Sequence, residues 1–151
     1  MTQKIPRKYL PASLSKKDYA RERRAILKSR KLYPKGKYID RPHLDSFVSK
    51  KSSHVYRATN LYGVETMKPS PILAKATGCK EWALRKIVNK GEGAYYSSGS
   101  RPNQTAKSWG YARLGSALTG GPSSKIDYDI LRRGCTRKSR PIQLANKLQK
   151  M

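Results

Sequence analysis

Cys79, Cys135, His43 and His54 are the chain's whole supply of thiol and imidazole groups. Structural zinc takes four ligands, usually offered as Cys-x-x-Cys or His-x-x-x-His pairs, and neither pair occurs. The cysteines are expected to be two reduced thiols packed at helix ends, in a protein of a reducing compartment. A Cys–His nucleophile pair exists only on paper, because neither cysteine lies in a known nucleophile motif. Asp127 and Asp129 stand two apart on an expected helix and so point in different directions. That is poor geometry for a shared metal or an acid/base pair. No catalytic residue, metal site or cofactor is expected, and the chain is not expected to be an enzyme.

Two longer patterns could bind rather than react. In Leu73-Ala-Lys-Ala-Thr-Gly-Cys-Lys-Glu-Trp-Ala-Leu-Arg-Lys-Ile87, Ala74 and Gly78 are four apart, and Leu84 and Ile87 follow with helix-turn-helix spacing. A small residue lets the second helix cross closely, Gly makes the turn, and two apolar residues seat that helix. Lys80, Glu81, Arg85 and Lys86 would then face DNA. An ordinary αα-corner packing Trp82 into the core has the same spacing and is favoured, since Glu81 suits phosphate poorly. The second pattern is Gly91 to Thr105, rich in glycines and hydroxyls and holding Arg101. Running into a helix N-terminus, it could present backbone N–H groups to phosphate. It lacks the Gly-Lys-Ser/Thr of a Walker loop and the Gly-x-Gly-x-x-Gly of a dinucleotide site. A surface loop with Tyr95 and Tyr96 packed inward is the favoured reading.

The elements that would position these groups are all helices. Ile5 to Leu14, with Pro6 and Pro11, reads as an extended arm. Ser15-Lys-Lys-Asp18 has the form of a capping box, and a helix should run to about Tyr33 before Pro34. Leu44, Val48, Val55, Ala58 and Tyr62 share one face of a second helix, with Gly63 as its C′ residue. Short helices are expected at Ser70 to Ala76 and at Lys80 to Asn89, with Gly91 to Pro102 irregular. Asn103 or Thr105 can cap a helix through Leu118. Ser124 can cap another over Lys125 to Arg133, with Ile126, Ile130 and Leu131 inward. Pro141 can start a last helix to Lys150. No stretch alternates as a strand does. The fold class is all-α: a small helical core, expected to be centred on Trp82 and Trp109, with extended basic N- and C-terminal arms. The expected divisions are a basic arm and helix over 1–40, a helical core over 41–135 and a basic tail over 136–151. The core is expected to fold without the first forty residues.

Composition sets the partner class. The chain has 151 residues, 34 Lys+Arg against 9 Asp+Glu, and a net charge of +25. Leu, Ile, Val and Phe make up only 26 residues, and ten Tyr and two Trp must supply much of the buried area. Residues 1–60 alone carry a net +13. Such self-repulsion opposes compaction unless anionic partners relieve it. Arg21, Arg23, Arg24, Lys28, Arg30, Lys31, Lys80, Arg85 and Arg101 are the expected polyanion contacts. Tyr9, Leu10 and Leu14 are expected to seat in grooves of a partner. No apolar run reaches the length of a membrane span, and the basic N-terminus lacks the apolar stretch of a secretory signal.

The block from Gly93 to Ala106, Gly-Ala-Tyr-Tyr-Ser-Ser-Gly-Ser-Arg-Pro-Asn-Gln-Thr-Ala, continues into Ser108-Trp-Gly110 and Ala112-Arg-Leu114. With Tyr9 to Ser15, Ser29 to Tyr33, Leu73 to Cys79 and Asp127 to Leu131, it resembles a family of small Lys-rich proteins from large double-stranded DNA viruses, including the algal chlorella viruses. The resemblance covers about residues 9–135 and carries no catalytic residues with it. It implies an icosahedral capsid, an internal membrane and packed DNA as the setting. The expected function is that of a non-enzymatic minor capsid protein inside the shell of the virion, made in the host cytoplasm or nucleus. Its partners would be other capsid proteins, with anionic inner-membrane lipid or DNA as further candidates and no small-molecule substrate. The alternative is a DNA-binding protein that uses residues 73–87 and the basic arms.

Overall fold

A computed structural model describes residues 4–48 and 52–150. Eight α-helices account for most of these: α1 Lys16–Leu32, α2 Ser53–Tyr62, α3 Pro71–Thr77, α4 Glu81–Ser97, α5 Ala106–Leu118, α6 Pro122–Ile126, α7 Tyr128–Gly134 and α8 Arg140–Gln149. A 3-10 turn, Tyr33–Lys35, closes α1. The described residues contain no strand, only an isolated antiparallel bridge between Cys79 and Cys135. The all-α expectation holds.

Local chemistry explains most helix ends. Ser15 caps α1 by accepting the Asp18 N–H at 3.1 Å, and Ser70 caps α3 by accepting the Leu73 N–H at 3.1 Å. Thr105 and Ser108 cap α5 reciprocally, each hydroxyl accepting the other's backbone N–H at 3.0 and 2.9 Å. Gly63 and Gly78 end α2 and α3 in the left-handed conformation.

Contacts divide the chain into two interleaved units, one from residues 1–50 with 92–109 and the other from 51–91 with 110–151. The sequence-based division at 40 and 135 is therefore corrected. Residues 92–109 fold back onto 4–48: Asn103, itself left-handed at φ 61°, clasps Leu44 through its N–H at 2.7 Å and its carbonyl at 3.1 Å. Ser29 donates to the Tyr96 carbonyl at 2.7 Å. The core of this unit includes Leu10, Leu14, Ile26, Leu44 and Tyr95.

The expected N-terminal arm is part of that core. Turns at residues 7–9 and 12–14 bury Leu10 and Leu14, and Tyr9 meets Trp109 edge-on with ring centroids 6.0 Å apart. Leu10 and Leu14 are already packed at home and cannot also fill a partner's grooves, while Tyr9 is partly buried. Removing residues 1–40 would take Leu10, Leu14 and Ile26 out of this unit's core and leave Leu44 and Tyr95 without them.

The second unit holds the larger apolar cluster, in which Met67, Leu73, Leu84, Ile87, Leu114, Leu118 and Leu131 are essentially inaccessible to water. The expected C-terminal tail belongs here too. Pro141, Ile142 and Ala145 form the buried stripe of α8, which packs on α6 and α7. Leu44 to Val48 is not helical, because Asn103 and Asp18 hold its backbone groups. The expected helix over 125–133 is broken at Asp127 into α6 and α7, which leaves Ile126 exposed and Ser124 buried. Residues 91–97, expected to be irregular, continue α4. Gly91 is helical for close approach: a Cβ there would lie 2.6 Å from the Cα of Gly110 in α5.

Cys79 and Cys135 are joined by a disulfide, which corrects the expectation of two reduced thiols. Their backbones meet as well. The Lys80 N–H donates to the Gly134 carbonyl at 2.7 Å, and the Thr136 N–H donates to the Gly78 carbonyl at 2.9 Å. The bridge bonds bring the two Cβ atoms together across a sequence separation of 56.

Candidate polyanion-binding surfaces

In the first unit the candidate surface is the solvent face of α1. Asp18, Glu22, Ile26 and Ser29 recur at helical spacing and are buried. They include both carboxylates of the helix. Lys16, Lys17, Arg23, Arg24, Lys28 and Lys31 are exposed on the remaining surface. From Lys17 to Lys31 this face spans about 21 Å, along which duplex DNA carries roughly a dozen phosphates. The outward surface of the helix therefore carries only cationic charge.

Not every expected contact is available. Arg30 spends its guanidinium on the carbonyls of Ser98 at 2.9 Å and Lys4 at 3.1 Å. Arg21 pairs with Asp18 at 3.7 Å. Arg101 is exposed, but on the turn before α5 rather than on α1. Lys80 and Arg85 are exposed in the second unit, where Arg85 is paired with Glu81 four residues earlier.

The corner from α3 to α4 is present in that unit. Gly78 turns the chain at φ 75°, and Leu84 and Ile87 are fully buried. Trp82 is 46% exposed, which corrects the expectation that it packs into the core. It sits on the α4 face shared by Arg85, Lys86 and Asn89, all exposed.

Two buried polar clusters escaped the sequence reading. In the first unit Arg41, its side chain 3% exposed, stacks over the Tyr95 ring at 3.8 Å and donates to the Tyr95 carbonyl at 3.0 Å. It also donates to the Ser100 hydroxyl. Its ion-pair partner is Glu22, 3.9 Å from Nε, and neither Glu22 oxygen accepts a hydrogen bond. Burial pushes the Glu22 carboxyl up to about 7, against the opposing pull of Arg41. The available signal was the spacing of Glu22, four residues from both Asp18 and Ile26 on one stripe. By contrast, hydrogen bonds from the Ser46 hydroxyl and backbone hold Asp18 below its usual range.

The folded state thus binds the Glu22 proton more tightly than the unfolded chain, whose carboxyl titrates near 4.5. Its contribution to stability is complete below that value and is lost as pH rises to about 7. Glu22→Gln should abolish this fall and make the protein more stable than wild type at pH 8, by on the order of 3 kcal/mol at most. Urea unfolding of both proteins at pH 5 and pH 8 checks it. A variant no more stable than wild type at pH 8 would contradict the assignment.

In the second unit Asp127 is fully buried and accepts two hydrogen bonds from Arg113, from Nε and Nη2, both at 2.8 Å. Lys90 lies 3.7 Å from the same carboxylate. The hydrogen bonds from Arg113 to Asp127 hold the guanidinium above its usual range. Asp129, two residues on, is exposed and paired with Arg133. Among the described residues no three His, Cys, Asp or Glu side chains come together as a metal site would require. No described helix is long and apolar enough to cross a membrane.

No curated protein and no solved structure matches the chain. A family model does match, over residues 6–129, which takes in the α1 face, the α3–α4 corner, both polar clusters and Cys79. The chain belongs to that family, a family of unknown function (DUF5824).

Proposed function

We propose that the protein is a non-enzymatic structural component of a virion that holds polyanionic surfaces on folded cationic helix faces. The observation that supports this reading is α1, with both carboxylates turned inward and six cations turned outward. A folded face loses less conformational entropy on binding than an arm that must be ordered, at about 1–2 kcal/mol per residue. The resemblance to Lys-rich proteins of large DNA viruses supplies the setting, inside an icosahedral capsid. The partners are packed DNA, anionic inner-membrane lipid or acidic surfaces of other capsid proteins. A second reading, a DNA-binding protein working through the α3–α4 corner, is favoured by the exposed Lys80, Arg85 and Lys86.

Identification of proteins in salt-washed virions, before and after nuclease treatment, tests the proposal. The protein should survive the wash in intact particles. Absence from washed virions together with abundance in infected cells would overturn the structural role and leave the DNA-binding reading.

A further inference from the structure

We infer that Trp82 is a stacking platform for an unpaired base of single-stranded nucleic acid, set in a cationic seam of the second unit. This site rests on the proposed affinity for polyanions but lies on different residues from the α1 face. Segments 78–82 and 134–139 run side by side. The Cys79–Cys135 disulfide and the two flanking backbone hydrogen bonds lock them together. The indole lies against the second segment: a Cβ on Gly134 would sit 3.4 Å from its Cζ2 atom. A residue that is 46% exposed yet backed in this way is presented to solvent with its orientation supported.

The surroundings are cationic. Lys80 precedes the indole, and Arg85 and Lys86 stand three and four residues beyond it on the same face of α4. Arg137 and Lys138 are exposed on the loop after Cys135. The ends of that loop reach Gly78, whose Cβ would lie 3.1 Å from Ser139 and 3.2 Å from Thr136. Of the carboxylates on the two helices that meet here, Glu81 and Asp129 are each paired with an arginine of their own helix, and Glu92 pairs with Lys107. An acidic protein would satisfy these cations and leave the indole without a partner. A membrane surface would favour further apolar groups beside Trp82, but α4 presents Arg85, Lys86 and Asn89 there. A polyanion whose monomers carry π-faces satisfies both features, and an unpaired base offers its face to an exposed ring on a helix surface.

The test is anisotropy of labelled strands with the full-length protein. Three probes are used at one salt concentration: a short oligo-dT, an abasic oligomer of the same length, and a duplex. Trp82→Ala should weaken oligo-dT binding roughly ten-fold, leave the abasic oligomer unchanged and affect the duplex less. Trp82→Phe should recover most of the loss. Equal loss on the abasic oligomer, or no loss on oligo-dT, would overturn the stacking role. Greater loss on the duplex would overturn it in favour of a groove contact. Unchanged oligo-dT binding, together with loss of co-sedimentation with phosphatidylserine vesicles in a parallel assay, would overturn it in favour of a membrane surface. Because Trp82 is exposed, unchanged helical circular dichroism is expected, and the Phe variant keeps the test decisive if Ala perturbs the fold. If stacking fails while binding of the abasic strand persists, the proposed polyanion function stands without this site.

Discussion

Replacing Lys17, Arg24, Lys28 and Lys31 by glutamine should lower DNA affinity by on the order of 10³-fold near 0.1 M salt. The size follows from counterion release. Each phosphate contact contributes about 0.9 log units per decade of salt, so four contacts lose roughly 3.6 log units one decade below 1 M. Stability should move the other way. All four side chains are exposed, and Arg24, Lys28 and Lys31 repel one another at helical spacings of four and three. The melting temperature of the variant should equal or exceed that of wild type. A variant neutralised at the exposed Lys35, Lys37, Lys68 and Lys125 loses the same charge but keeps the α1 face. If both variants lose affinity equally, net charge rather than a defined surface holds the DNA.

The largest expected effect on stability is at Asp127. Asp127→Ala would strand the Arg113 guanidinium beside an apolar core, whereas the half-exposed Lys90 ammonium can turn to water. Breaking one side of a buried pair costs about 3–5 kcal/mol. Arg113 is 20% exposed, so the lower part of that range applies. Asp127 also links α6 to α7, and its backbone carbonyl accepts the Leu131 N–H at 3.1 Å, a bond the substitution leaves in place. The side-chain pair is therefore tested by itself. Asp127→Leu combined with Arg113→Met should recover most of the loss, because exchanging both charges for apolar groups of similar volume is often close to neutral. Urea unfolding of the single and double variants measures this. A single variant within about 1 kcal/mol of wild type would show that the pair contributes little.

What the sequence displays and what it hides divide by range. Ser15, Ser70, Thr105, Gly63 and Gly78 announce helix ends because their chemistry is completed within a few residues. Asp127 and Asp129 are kept apart as expected, one buried and one exposed, but by the break between α6 and α7 at Asp127 rather than by spacing along one helix. Arg41 and Asp127 look like ordinary surface charges until Tyr95, Ser100 and Arg113 arrive from elsewhere in the chain. The disulfide depends in the same way on two backbone segments meeting. Pro6 and Pro11 suggest extension, yet Leu10 and Leu14 have apolar places to fill and the segment turns inward. Gly91 and Gly93 suggest a loop when read locally, but both lie within α4, where Gly91 lets α5 approach closely. The solvent face of α1 was legible in part. Arg23, Arg24, Lys28 and Lys31 are where the sequence puts them, whereas Arg21 and Arg30 are drawn into local bonds with Asp18, Ser98 and Lys4.

In the proposed function a folded face of α1 holds the polyanion. Its most direct test is the slope of log affinity against log salt for duplex DNA, measured for wild type and for the variant neutralised at Lys17, Arg24, Lys28 and Lys31. The expected wild-type slope is about −5 or steeper, from six or more contacts, and the variant's slope should be shallower by about 3.6. Equal slopes for the two proteins would contradict it.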